Sequence, residues 1–179
     1  MGHWLVLKGV PMIFKKFMAF LIPLLITFLF FFPYKHVIAF SFEDQGELVA
    51  YFPLKKEKEF KIKYTHSIHL TDVLESYRLS DKQIEQTELA YDDFAVGMPS
   101  NAEGEEVFEV KDGTYFIKNM QRTFTFIDLR VGQVKANHRL IYDGKTYTLA
   151  DFMEPGTWVR ISSERISLWE QLKGVKISG

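Results

Sequence analysis

Phe60-Lys61-Ile62-Lys63-Tyr64-Thr65 alternates apolar and polar side chains with a period of two, the pattern of a strand with one buried face. Glu75-Ser76-Tyr77-Arg78-Leu79 repeats it ahead of a turn at Ser80-Asp81-Lys82-Gln83, and Ile84 to Tyr91 reads as the next strand. Further on, Val107 to Val110 and Tyr115 to Ile117 flank Asp112-Gly113. His138 to Tyr142 and Lys145 to Leu149 flank Asp143-Gly144. Asp-Gly between two alternating runs is a hairpin signal, because both residues tolerate the positive φ that a tight turn demands. Phe124 to Leu129 and Thr157 to Ile161 complete the strands, and Arg165 to Leu172 reads as a short terminal helix. No stretch of about 10 to 15 residues in this region carries a convincing helical stripe, which argues against a parallel strand-helix-strand architecture. The expected fold is mainly β, an antiparallel β-sandwich or barrel-like domain, with Phe124, Phe126, Tyr142, Tyr147 and Trp158 in its core.

Upstream the character changes. Phe17 to Tyr34, FMAFLIPLLITFLFFFPY, has no charge and lies between Lys15-Lys16 and Lys35-His36. At about 1.5 Å per residue it crosses most of a hydrocarbon core as a helix, and Pro23 inside it is tolerated in a membrane setting. Lys8, Lys15 and Lys16 precede it with no acidic residue before Glu43, so the basic flank is expected to stay in the cytoplasm and the rest outside. Val37-Ile38-Ala39 offers a peptidase site, so two outcomes stand: an uncleaved single-pass anchor, or secretion after cleavage at Ala39. The organisation is then a basic N-terminus (1–16), a transmembrane helix or signal anchor (17–34) and an extracytoplasmic β domain (40–179).

Charge separates the parts. After residue 39 there are 18 basic and 23 acidic residues, a charge of −5 with histidines neutral. A surface of that sign argues against nucleic acid as a partner. The chain has no cysteine, which excludes a lipidated cysteine anchor and leaves stability to packing alone. Ser100-Asn101-Ala102-Glu103-Gly104-Glu105-Glu106 reads as a flexible solvated loop.

Chemistry concentrates in Tyr64-Thr65-His66-Ser67-Ile68-His69, followed by Thr71-Asp72 and Glu75. If the alternation of Phe60, Ile62 and Tyr64 continues, His66 projects from the apolar face, and Glu75 shares such a face with Tyr77 and Leu79. A carboxylate there is costly unless paired, so His66 and Glu75 are expected partners. A hydrolase with Ser67 as nucleophile meets a geometric obstacle, since adjacent strand residues point to opposite faces. His66, His69, Asp72 and Glu75, with His138 in reach, are candidate metal ligands, but the run lacks the helical context that would gather such spacings on one face. His138 has the bland alternative of a strand-end residue bonded to backbone. Gly97 and Pro99 in Phe94-Ala95-Val96-Gly97-Met98-Pro99 mark a tight apolar corner.

Tyr64-Thr65-His66-Ser67-Ile68, Val73-Leu74-Glu75-Ser76-Tyr77-Arg78-Leu79, Gly97-Met98-Pro99 and Leu129-Arg130-Val131-Gly132 leading to His138-Arg139-Leu140 together resemble domain-of-unknown-function family 1850, over roughly Phe60 to Leu172. His66, Ser67, Glu75, Gly97, Pro99 and His138 fall at the family's motif positions. The chain departs at His69, where an acidic residue is common, and at Ala95-Val96, where glycine and alanine are usual. Members are small exported or membrane-anchored proteins often encoded beside permeases of TAXI-type tripartite ATP-independent periplasmic (TRAP) transporters. The resemblance implies an accessory role in solute uptake with no established biochemical activity. The leading expectation is a non-enzymatic, membrane-tethered domain that contacts a TRAP-type permease or its solute-binding protein, and neither metal nor cofactor is expected. The competing expectations are an extracytoplasmic metal-dependent or acid-base enzyme using His66 and Glu75, and a cell-envelope ligand-binding module.

Overall fold

A computed structural model describes residues 12–178 apart from 57, 81, 94–97 and 134. The apolar run forms α1 (Met12–Phe31), a helix long and apolar enough to cross a membrane, with no buried residue. It takes in Lys15 and Lys16 and stops at Phe31, three residues short of the expected end, where Pro33 lacks the N–H that a further turn needs.

Only residues 32–34 separate α1 from β1 (Lys35–Phe42). The other strands are β2 (Leu48–Pro53), β3 (Glu59–Thr65), β4 (Asp72–Leu79), β5 (Ile84–Tyr91), β6 (Val107–Lys111), β7 (Thr114–Phe124), β8 (Phe126–Arg130), β9 (Arg139–Tyr142), β10 (Lys145–Thr148), β11 (Trp158–Ile166) and β12 (Val175–Lys176). A 3-10 turn (Leu149–Asp151) follows β10, and α2 (Leu168–Lys173) follows β11. They build two sheets, one ordered β12-β2-β1-β11-β8 and the other β10-β9-β3-β4-β5-β7-β6. All pairings but the short parallel β12–β2 contact are antiparallel, which is the expected sandwich.

The main core lies between the sheets. Ile38, Phe40, Ala50, Phe52, Val159 and Ile161 of the five-stranded sheet meet Phe60, Ile62, Tyr77, Leu79, Leu140 and Tyr142 of the seven-stranded one. The seven-stranded sheet carries a second cluster on β4, β5 and β7, built from Val73, Leu89, Tyr91, Ile117 and Met120, over which Met98 packs. A third cluster of Val37, Ala39, Tyr51 and Ile166 lies on the opposite face of β1. There α2 packs against β2 and β11. Both faces of β1 are therefore buried, and the strand reads as an unbroken apolar run instead of alternating.

Both Asp-Gly hairpins form as expected: Asp112 and Gly113 take φ of 52° and 86°, Asp143 and Gly144 take 50° and 69°. Other expectations need correction. β1 and β2 did not show in the period-two reading, and the folded domain begins at Lys35, so its sheet takes in residues that a boundary at 40 leaves out. Phe124 to Leu129 is two strands: β7 ends at Phe124 in one sheet and β8 begins at Phe126 in the other, the chain crossing over at Thr125. Of the expected core aromatics, Tyr142 is buried and Tyr147 packs against the core, while Phe124, Phe126 and Trp158 are exposed. Phe126 instead lies under the Arg160 guanidinium, 3.6 Å from the ring centroid. β11 runs to Ile166, so the terminal helix starts at Leu168, where Ser167 and Glu170 form a reciprocal cap. The segment 100–106 is solvated as expected, but its end is tied down: Glu106 accepts two bonds from Arg122, at 2.8 and 3.0 Å, and one from the Glu103 N–H.

Candidate functional site

β3 and β4 pair with Ile62 opposite Glu75, Tyr64 opposite Val73 and Phe60 opposite Tyr77. That register places Glu75 on the inner face, as the alternation predicts, with Tyr77 two residues along its own strand and Tyr64 diagonally across. Diagonal neighbours on one face are within reach of a tyrosine. The Tyr77 hydroxyl donates to Oε2 of Glu75 at 2.7 Å, and the Tyr64 hydroxyl donates to Oε1 at 3.4 Å. Burial raises the Glu75 carboxyl above its ordinary range, and the two hydroxyl bonds partly offset it. Burial and the adjacent carboxylate push both phenols upward, so they remain donors.

His138 sits just before β9, its ring 5.2 Å from that of Tyr64. Nδ1 accepts the Gly132 N–H at 3.0 Å, and the His138 carbonyl accepts the Leu149 N–H. Burial lowers its pKa, which keeps the ring neutral with its proton on Nε2. It is a strand-end histidine bonded to backbone, the bland reading of that position.

The expected His66–Glu75 pair does not form. β3 ends at Thr65, so the alternation stops one residue before His66. The His66 N–H donates to the Thr71 carbonyl at 2.8 Å, its own carbonyl accepts from Leu70 at 2.9 Å, and its Nδ1 faces the Ile68 N–H at 3.4 Å. The ring thus belongs to the β3–β4 loop, 5.7 Å from the ring of His69. Glu75 meanwhile has its acceptors occupied by two tyrosines that the pairing argument overlooked. The signal for them was present: Tyr64 and Tyr77 share the inward parity of Glu75.

The remaining candidates scatter. Ser67 is exposed in the same loop. His69 contacts Asp93 at 3.0 Å. Asp72 faces the outer side, bonded to Lys63 at 2.6 Å and within 3.7 Å of Arg139, and the Lys63 bond holds its carboxyl below the usual range. Among the described residues, no three His, Asp or Glu side chains are placed to hold a metal ion. Pro99 offers its carbonyl to the Tyr91 hydroxyl, and Gly97 lies outside the described residues.

The loop occupies a defined end of the sandwich. At the end where α1 enters, His36 meets Ser163 at 2.9 Å, and the Ser163 hydroxyl donates to the carbonyl of Ser80, just beyond β4. β3 runs away from that end, so residues 66–71 lie at the opposite one. There Ile68 and Leu70 expose 69% and 55% of their surface, and Leu70 holds a φ of 57°. A bulky residue in the left-handed region is uncommon and stores strain.

A family model described as "Domain of unknown function (DUF1850)" matches residues 60–149. That span holds the seven-stranded sheet and β8, while β1, β2, β11 and β12 fall outside it. No curated protein and no solved structure matches the chain.

Proposed function

The chain belongs to the DUF1850 family, and from that membership we propose a non-enzymatic interaction domain, tethered to the membrane and held outside the cytoplasm. There it assists a TRAP-type solute uptake system by contacting the permease or its solute-binding protein. The observation that carries this reading is the join between tether and domain. α1 enters an interior strand after residues 32–34 alone, so the sandwich stands at the membrane surface with the loop 66–71 turned away from it. One helix cannot enclose a solute path, whereas an exposed Ile68 and a strained Leu70 suit contact with a protein partner. The two phenols on Glu75 support a structural role for that carboxylate over an acid-base one.

The lysines at 15 and 16 favour a cytoplasmic start to α1. An uncleaved anchor is favoured by Ala39, which is fully buried in mid-strand between Tyr51 and Ser162. A peptidase cutting there would divide β1.

Deleting the gene should lower uptake through an adjacent TRAP-type permease at unchanged permease abundance. Ile68→Asp in the full chain should reproduce the deletion while the melting temperature stays at the wild-type value. Normal uptake in the deletion strain refutes the proposal.

A further inference from the structure

We propose that α2 is a second membrane contact, its Leu168, Trp169 and Leu172 face resting in the lipid headgroup layer beside the outer end of α1. The proposal depends on α1 crossing the bilayer, as argued above.

Placement comes first. β11 ends at Ile166, directly opposite Lys35, the first residue of β1. α2 therefore starts where the tether joins the sandwich. The Trp169 ring lies 5.9 Å from that of Phe30 and 6.0 Å from that of Phe31, in the last turn of α1. Gln171 Nε2 donates to the Tyr34 hydroxyl at 3.2 Å. From Lys16 at the inner boundary to Phe31 the helix rises about 22 Å, and residues 32–34 carry the chain on toward the full core thickness of about 30 Å, so its last turn lies close to the outer boundary. Trp169 is held at that depth.

Chemistry follows. Leu168, Trp169 and Leu172 share one helical face, and all three are exposed, Leu172 to 69%. Trp169 and Tyr34 are the residue types that settle at the membrane boundary, where a ring is partly apolar and its polar atom stays wet. The Lys173 ammonium lies 5.0 Å over the Trp169 ring, a stem along apolar surface with its charge outward. Glu170, the one acidic residue of α2, is turned back on the Ser167 cap, at 2.7 Å from its N–H. α2 is anchored on its other side by Gly174, which packs against Leu48 and Tyr51. An apolar face continuous with a membrane span is covered by the bilayer that the span enters. The consequence is orientation: two contacts fix the tilt of the sandwich, where one helix alone would leave it free to swivel.

The test uses the full chain in phosphatidylcholine vesicles, with Trp4→Phe and Trp158→Phe leaving Trp169 as the sole tryptophan. Lipid brominated near the headgroup end of its acyl chains should quench Trp169 emission more than lipid brominated near the chain ends, as for a boundary tryptophan. A chain carrying Trp158 alone should be little affected, because that residue begins β11 and lies about 26 Å along the strand from Ile166. Leu172→Glu should abolish most of the Trp169 quenching while the chain still floats with vesicles and melts normally.

An unquenched Trp169 in a chain that floats with the vesicles overturns the proposal and leaves the tether intact. Emission that instead follows protein concentration assigns the face to a second copy and also overturns it. A chain that does not float overturns both readings.

Discussion

Replacing Glu75 with alanine removes the one acceptor shared by two tyrosine hydroxyls. Tyr77 is 4% exposed, so its hydroxyl is left as a buried donor that has lost its acceptor. A buried polar group left unsatisfied costs about 1–3 kcal/mol. The Tyr64 bond is longer, at 3.4 Å, and that side chain is only partly buried, so its loss adds little. Removing the carboxylate also relieves its desolvation, which keeps the net cost at about 2 kcal/mol. For a domain of this size that lowers the melting temperature by roughly 6–8 °C.

Glu75→Gln separates the hydrogen bonds from the charge. The amide keeps an acceptor oxygen, so at neutral pH this variant should melt within about 1 kcal/mol of wild type. Its pH dependence should differ. In the folded chain burial raises the Glu75 carboxyl above the ordinary value of 4.5. Between the unfolded and the raised value the folded state holds more protons, so wild-type stability falls as pH rises through that window and is flat above it. Acidifying from neutral should therefore stabilise wild type relative to Glu75→Gln, and taking the difference at each pH cancels Asp72 and Glu106, whose carboxyls are lowered. The assay is thermal unfolding of the full chain in detergent, followed by circular dichroism. A Glu75→Ala chain that melts with wild type, or a wild-type to Glu75→Gln difference that does not change with pH, refutes the network. So does strong coupling to His66→Ala, since residues without a shared partner should add within about 0.5 kcal/mol.

A chain beginning at Lys35 should fold, while one beginning at Phe40 should give no cooperative melt. The shorter chain loses the fully buried Val37 and Ile38, whose burial is worth about 1.5–3 kcal/mol each. A cooperative melt from the shorter chain would restore cleavage at Ala39 as a route to a folded secreted domain. Gly132→Ala should lower stability by about 1–3 kcal/mol through overpacking, because its new Cβ would stand 2.8 Å from Ala136 Cβ and 2.9 Å from the Asn137 nitrogen. An unchanged melting temperature would mean that the backbone there yields freely.

Local chemistry was legible along the chain. The alternation from Phe60 to Thr65 and the two Asp-Gly turns depend on side-chain parity and on φ, both properties of a few neighbouring residues. The apolar helix is legible for the same reason, since length and hydropathy decide it. The inward aim of Glu75 also followed from parity. Its partners did not: they depend on the register between β3 and β4, which sets Tyr64 within reach and leaves His66 one residue past the strand end. β1 escaped notice because both its faces are buried, replacing alternation with an apolar run that adjoins the helix before it. The break at Thr125 has no local signal either, since a chain changing sheets looks like one strand until both sheets exist. Side-chain order along the chain was enough for a helix long and apolar enough to cross a membrane, an antiparallel β domain and an inward carboxylate. Which sheet each strand joins, what satisfies Glu75 and how α2 meets α1 were decided by contacts between residues far apart in the chain, whose energies exist only once the sandwich has closed.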